Sequence, residues 1–159
     1  MWKKLGLIVL CLAIGCGLGV FLSMVYTGRT LAMGMFMLQE KEIFNMGEAA
    51  ENAYYNEPNE VAVWALSNYI KTLNELKEER RPAKVKNPYF LLSPDTDLVF
   101  AYARLGKLYK QMGNTEKSQY YFEQAISLSK NTGPKDLNTE EDCLKMLDLL
   151  DKEHSKGLE

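Results

Sequence analysis

The chain has 159 residues, with 19 basic and 21 acidic side chains and a formal net charge of −2. This length leaves room for one small core after an N-terminal apolar segment. The basic residues alternate with acidic ones and form no continuous stripe, which argues against a nucleic-acid partner.

The first element is an uncharged run from Leu5 to Tyr26. As a helix it would be about 33 Å long, against about 30 Å for the hydrocarbon core of a bilayer. We therefore predict that residues 1–26 form a short tail and an uncleaved transmembrane signal anchor, with residues 5–26 in contact with lipid. Because Lys3 and Lys4 precede the run, the N-terminus is expected in the cytoplasm. We interpret the chain as a single-pass protein of a bacterial inner membrane, with its remaining domain in the periplasm.

Two alternatives concern the same segment. The residues from Leu12 to Cys16 resemble a bacterial lipoprotein signal, in which Cys16 would become the lipidated first residue. The residues after Cys16 are more apolar than a usual lipoprotein tether, so the transmembrane prediction is preferred. Gly15 and Gly19 lie four residues apart, a spacing that supports close helix association, and self-association into a homo-oligomer stays open.

The second element, residues 27–81, is predicted to be a helical hairpin. Its first helix covers Thr30 to Tyr55, and Pro58 begins the second. Apolar residues recur at helical spacing in both helices. They are Leu31, Met35, Leu38, Ile43, Met46, Ala50, Ala53 and Tyr54 in the first, and Ala62, Ala65, Leu66, Tyr69, Leu73 and Leu76 in the second. The pattern leaves open whether this hairpin is a degenerate repeat, and prolines at 82, 88 and 94 predict an irregular linker over residues 82–96.

The third element, from Val99 to Thr132, alternates large, small and turn residues at the spacing of two antiparallel helices. Small residues at 106, 118 and 125 would allow the two backbones to approach, and large residues at 105, 109 and 122 would fill the space between them. Gly113 is suited to end the first helix in the left-handed conformation, and Asn114 to cap the second.

This third pattern resembles a tetratricopeptide repeat. The resemblance rests on Tyr102, Leu105, Gly106 and Tyr109 in the first helix, Gly113 in the turn, and Ser118, Phe122 and Ala125 in the second helix. One departure is Lys130, which stands where the family usually has a proline. The resemblance implies that residues 97–132 form an α-solenoid unit that binds another protein and performs no chemistry. It also implies a ligand-facing side made of Phe100, Ala103, Lys107, Lys110 and Gln111, on which the two lysines would suit an acidic peptide.

The last element begins at Thr139, where Asp142 completes a helix-starting cap. Residues 139–153 are predicted to be a helix that covers the end of the solenoid. The chain's one histidine, His154, is interpreted as a solvated side chain. Cys143 has no histidine placed to activate it, and the sequence contains no metal-ligand spacing. We therefore predict no catalytic residue, no metal and no cofactor.

The predicted fold class is all-α, with a single transmembrane helix followed by a small domain of tetratricopeptide-like hairpins. The predicted function is that of a membrane-anchored scaffold or adaptor, which presents a helical groove to a protein partner and is not an enzyme. Two alternatives stay open: a structural accessory subunit of a membrane protein complex, and a lipoprotein anchored at Cys16.

We expect the mature chain to keep residues 1–26 as its anchor, because the apolar run is longer than the apolar centre of a cleaved signal. Mass spectrometry of the purified full-length protein measures this directly. An intact mass that includes the N-terminal residues agrees with a transmembrane anchor, and a chain that begins at an acylated Cys16 establishes the lipoprotein instead.

Overall fold

The computed structural model describes residues 2–80, 94–130 and 137–156, and it describes their side chains except those of residues 2–17, 20, 79 and 80. These described residues form five α-helices and no strand, so the all-α prediction is confirmed. The helices are α1 (Trp2–Asn56), α2 (Asn59–Arg80), α3 (Pro94–Gln111), α4 (Thr115–Ser129) and α5 (Glu140–Lys156). They divide into two compact units, Met1–Glu42 and Ile43–Glu159.

Helix α1 is continuous over 55 residues, so no break separates the predicted anchor from a helix beginning at Thr30. The Thr30 hydroxyl donates to the carbonyl of Tyr26 at 2.9 Å, which satisfies this polar side chain within the helix. Among the residues with described side chains, one stretch is long and apolar enough to cross a membrane, Phe21–Asn56. A signal sequence near the N-terminus meets the same criterion. The side chains of residues 5–17, including Cys16, lie outside the described set.

Apolar side chains are exposed along the first unit. Predicted stripe members Leu31, Met35 and Leu38 are 64%, 73% and 69% exposed. The predicted stripe is therefore buried only in its second part, from Ile43 onward.

The second unit begins with a hairpin made by the last turns of α1 and by α2. Its core contains Ile43 and Ala50 of α1 and the predicted α2 stripe. Of that stripe, Ala65 is only partly buried, and the other five members are buried: Ala62, Leu66, Tyr69, Leu73 and Leu76. Ile70, which the stripe did not include, is buried as well. Gly47 permits close contact between the helices, because a Cβ atom at this position would lie 2.9 Å from the Tyr69 hydroxyl oxygen.

Helices α3 and α4 form the hairpin that the repeat pattern predicts. Helix α3 begins at Pro94, three residues before the predicted start. Its C-terminal turn ends at Gly113, whose φ of 75° is the left-handed conformation expected there. The amides of Gly113 and Asn114 donate to the carbonyls of Lys110 and Tyr109, and the Asn114 side chain accepts from the Lys117 amide. Both predicted roles in the turn are confirmed.

Helices α3 and α4 pack closely together at Gly106. A Cβ atom on Gly106 would lie 2.9 Å from three ring carbons of Phe122. One turn away, the Ser118 hydroxyl donates to the Gly106 carbonyl at 2.9 Å. Leu105, Phe122 and Ala125 are buried. The small residues therefore lie at the helix contact, as the repeat pattern predicts.

Helix α5 packs on the α3–α4 hairpin. Cys143 and Leu147 of α5 are fully buried, and they form a second core cluster with Val99 and Ala103 of α3 and with Phe122. At its start, the Thr139 amide donates to the Asp142 carboxylate and the Asp142 amide donates to the Thr139 hydroxyl. These reciprocal hydrogen bonds fix where the helix begins. The Thr139 hydroxyl also donates to the Asp142 carboxylate at 2.8 Å, and this bond, with those from the Asn138 and Thr139 amides, holds the pKa of the Asp142 carboxyl below its ordinary value.

We predict that Gly106→Leu destabilises the second unit, because the new side chain would occupy the space of the Phe122 ring. Overpacking of this kind costs about 1–3 kcal/mol or more, which lowers the melting temperature by several degrees. The measurement is thermal unfolding of the full-length protein followed by circular dichroism. Gly34→Leu is the matched control, since nothing lies within 4 Å of a Cβ atom at Gly34. Equal melting temperatures for Gly106→Leu and the wild-type protein would contradict the packing described here.

Candidate interaction site

The five residues predicted to face a ligand do not form one open surface. Ala103 is fully buried in the α3–α4–α5 core. Lys107 and Lys110 are both paired with carboxylates of α5. Within the described structure, only Phe100 and Gln111 of this set have accessible side chains that are not paired with a carboxylate. Phe100 is half-buried and Gln111 is exposed. Partner binding by this set stays a prediction, and the structure adds that α5 covers much of it.

Lys107 joins two carboxylates of α5. Its ammonium donates to Asp148 at 3.0 Å and to Asp151 at 2.8 Å, and its side chain is only 18% exposed. Burial lowers the pKa of Lys107, but the hydrogen bonds to Asp151 and Asp148 outweigh this and raise it above its ordinary value. Lys110 pairs with Glu140 at 2.6 Å. The acidic partners of both lysines therefore lie within this chain.

A cavity of about 280 Å³ lies among the α1 residues of the second unit and helices α2, α3 and α5. We call it the central cavity. Its apolar lining consists of Phe44, Ala50, Leu66, Phe100, Ala101 and Leu150. Its remaining lining consists of Gly47, Glu48, Glu51, Tyr69, Asp97 and Arg104. Phe44 is 53% exposed, so an apolar side chain stands at the solvent boundary of the cavity. Among the sequence-predicted binding residues, only Phe100 lines it.

Arg104 connects three helices beside the central cavity. Its guanidinium forms an ion pair with Glu51 of α1 and lies 5.2 Å and 5.7 Å from the ring centroids of Tyr54 and Tyr55. The Tyr55 ring in turn stacks on the imidazole of His154 in α5, with centroids 3.8 Å apart. The interpretation of His154 as a solvated side chain is therefore wrong, because one face of its ring is covered. No local sequence pattern relates Arg104 to Glu51 or His154, which are distant in the chain.

Asp97 is a half-buried acidic group of the cavity. The Tyr69 hydroxyl donates to its carboxylate at 3.3 Å, and no ion pair with a cation is formed within the described residues. Burial raises the pKa of Asp97 above its ordinary value, and the hydrogen bond from Tyr69 opposes this shift. Burial and the neighbouring Asp97 also raise the pKa of Tyr69. The cavity thus combines an apolar lining with a half-buried carboxylate.

We predict that Lys107→Gln loosens α5, because Asp148 and Asp151 lose a shared, partly buried cation. Hydrogen bonds to charged groups contribute about 1.5–3 kcal/mol, so the melting temperature should fall by several degrees. The control is Lys145→Gln, which removes an exposed pair with Glu141 inside α5 and should leave the melting temperature almost unchanged. Thermal unfolding and amide hydrogen exchange in α5 measure both. Equal effects of the two variants would show that the Lys107 pairs do not hold α5 in place.

Comparison with known proteins agrees with the hairpin geometry. The family model of the tetratricopeptide repeat matches residues 101–132, which include most of α3 and all of α4. Neither a curated protein nor a solved structure matches the chain significantly. The matched segment contains the Gly106–Phe122 contact, the Gly113 turn and the buried Ala125. The match supports assignment of residues 101–132 to the tetratricopeptide-repeat family, whose repeats mediate interactions between proteins.

Proposed function

We propose that this protein is a membrane-anchored interaction module, which holds a segment of a partner protein in the central cavity. The repeat supports binding to a protein, since the matched family consists of protein-interaction repeats. The observation that carries the choice of site is the cavity itself, which is bordered by the repeat helix α3 and by α1, α2 and α5.

The cavity has the composition of a binding site for an apolar side chain. Phe44 and Phe100 supply aromatic surface, and Leu66 and Leu150 supply aliphatic surface. Aromatic residues in partly enclosed positions are frequent energetic centres of protein interfaces. A partner side chain that covered Phe44 would remove apolar surface from water, and this contributes about 25 cal/mol per Å².

Membrane anchoring is the second part of the proposal. It rests on the uncharged run of residues 5–26 and on the exposed apolar side chains in the last part of that run, such as Phe21, Leu22 and Met24. We propose a bacterial inner-membrane location with the N-terminus in the cytoplasm and the repeat in the periplasm, because the basic residues Lys3 and Lys4 precede the run.

A second candidate function is that of a structural accessory subunit in a membrane complex. It is favoured by the exposed apolar side chains between the predicted span and the second unit, among them Leu31, Met33, Met35 and Met37. In an accessory subunit this stretch of α1 would be covered by another helix. The lipoprotein alternative depends on Cys16 and is decided by the mass of the mature chain.

Affinity capture of the full-length protein in mild detergent tests the site. The double variant Phe44→Ala with Phe100→Ala removes exposed aromatic surface from the cavity, and we expect it to reduce the captured partner at least tenfold. This estimate follows from about 1.5–3 kcal/mol for burial of one large apolar side chain and 1.4 kcal/mol for each factor of ten. The matched control is Leu149→Ala, since Leu149 is an exposed residue of α5 that does not line the cavity.

The accessory-subunit function gives a different result in the same experiment. Leu31→Ser with Met35→Ser would then reduce the captured material, and the cavity variant would not. Normal capture by a well-folded cavity variant would therefore contradict binding in the central cavity.

A further inference from the structure

We propose that the central cavity selects a partner segment in which a lysine or arginine side chain lies next to a large apolar side chain. This inference rests on the proposed function and names the chemistry of the partner. The apolar side chain would enter beside Phe44 and Phe100, and the cationic side chain would bind the Asp97 carboxylate.

The size of the cavity limits what it accepts. At about 280 Å³ it lies just below the volumes typical of ligand sites. Only a short part of a bound segment would therefore enter it. The apolar lining from α1, α3 and α5 favours an aliphatic or aromatic group in that position.

The charges around the cavity favour a cation. Its lining includes the carboxylates of Glu48, Glu51 and Asp97, but Arg104 is the one cationic side chain among the lining residues that the structure describes. Arg104 is already paired with Glu51. Two carboxylates therefore remain without a cation in the lining, the exposed Glu48 and the half-buried Asp97.

Of the two carboxylates, Asp97 should attract a cationic group of the partner more strongly than Glu48. A half-buried carboxylate has lost part of its hydration, and the hydrogen bond that Asp97 accepts comes from a neutral hydroxyl, that of Tyr69. An ammonium or guanidinium group would form a charge-assisted hydrogen bond with the carboxylate and so replace the hydration that burial has removed. Complementary charge of this kind determines which partners are rejected as well as which bind.

An acidic partner segment fits this site less well. The lysines that would attract it, Lys107 and Lys110, are held by Asp148, Asp151 and Glu140 of α5. An acidic segment would have to replace these intramolecular pairs, and it would also meet the carboxylates of the cavity. The partner segment proposed for the cavity is therefore cationic, whereas the lysines alone predict an acidic one.

Two defined peptides test the assignment. Both are capped, fluorescently labelled decapeptides with the same alternating leucine and phenylalanine residues. One carries lysine and the other glutamate at every remaining position. Binding to the full-length protein in detergent is measured by fluorescence anisotropy. We expect the lysine peptide to bind and the glutamate peptide to bind at least tenfold more weakly.

Variants locate the binding within the protein. Asp97→Asn keeps an acceptor for the Tyr69 hydroxyl and removes the charge, and we expect it to weaken the lysine peptide about tenfold. The matched control is Glu123→Gln, an exposed carboxylate of α4 that does not line the cavity and should leave binding unchanged. Binding of peptide to detergent is the same for all variants and cancels in the comparison. Melting temperatures verify that each variant is folded.

Three outcomes would overturn the proposal: equal or tighter binding of the glutamate peptide, unchanged binding by folded Asp97→Asn, or no binding of either peptide. Equal weakening by Glu123→Gln would also overturn it, since attraction would then be general. If the Phe44 and Phe100 double variant still loses its captured partner, the proposed function stands and only the charge assignment fails. If that capture is also unchanged, the proposed function fails with it.

Discussion

The missing side chain of Gly106 determines how closely α3 and α4 can pack, because the Phe122 ring occupies the space where a Cβ atom would be. With this contact in place, α3 lies between two cores. Leu105 and Leu108 face the cluster shared with α2 and the end of α1, and Val99 and Ala103 face the cluster shared with α4 and α5. Displacement of α3 would therefore disturb both clusters and the cavity that α3 borders.

Several charged side chains of the second unit form ion pairs with one another. Lys107 and Lys110 join α3 to α5, Arg104 joins α3 to α1, and Lys77 of α2 pairs with Asp95 at the start of α3. Each pair fixes one helix against its neighbour and neutralises a group that would otherwise attract a ligand. At the central cavity, these pairs leave Glu48 and Asp97 as the lining carboxylates without a cation among the described lining residues.

The sequence predicts best what is decided locally. The turn at Gly113 and Asn114 and the cap at Thr139 depend on neighbours within a few residues, and all three have the predicted geometry. The buried side of α2 follows from helical spacing. The continuity of α1 was missed, because a change from apolar to polar composition does not itself end a helix. The partners of Lys107 were also missed, since residues far along the chain supply them and no spacing rule relates the two segments.

The docking of α5 on the repeat also controls the chemistry of Cys143. The thiol of this α5 residue is fully buried against α3 and α4, and burial together with nearby acidic groups raises its pKa to about 11. The thiolate is the reactive form of cysteine, so the Cys143 sulfur is unreactive while α5 is docked. Local unfolding of α5 would expose the thiol to solvent and remove the burial that raises its pKa. The rate at which the thiol reacts with an added reagent therefore reports how often the C-terminal helix opens.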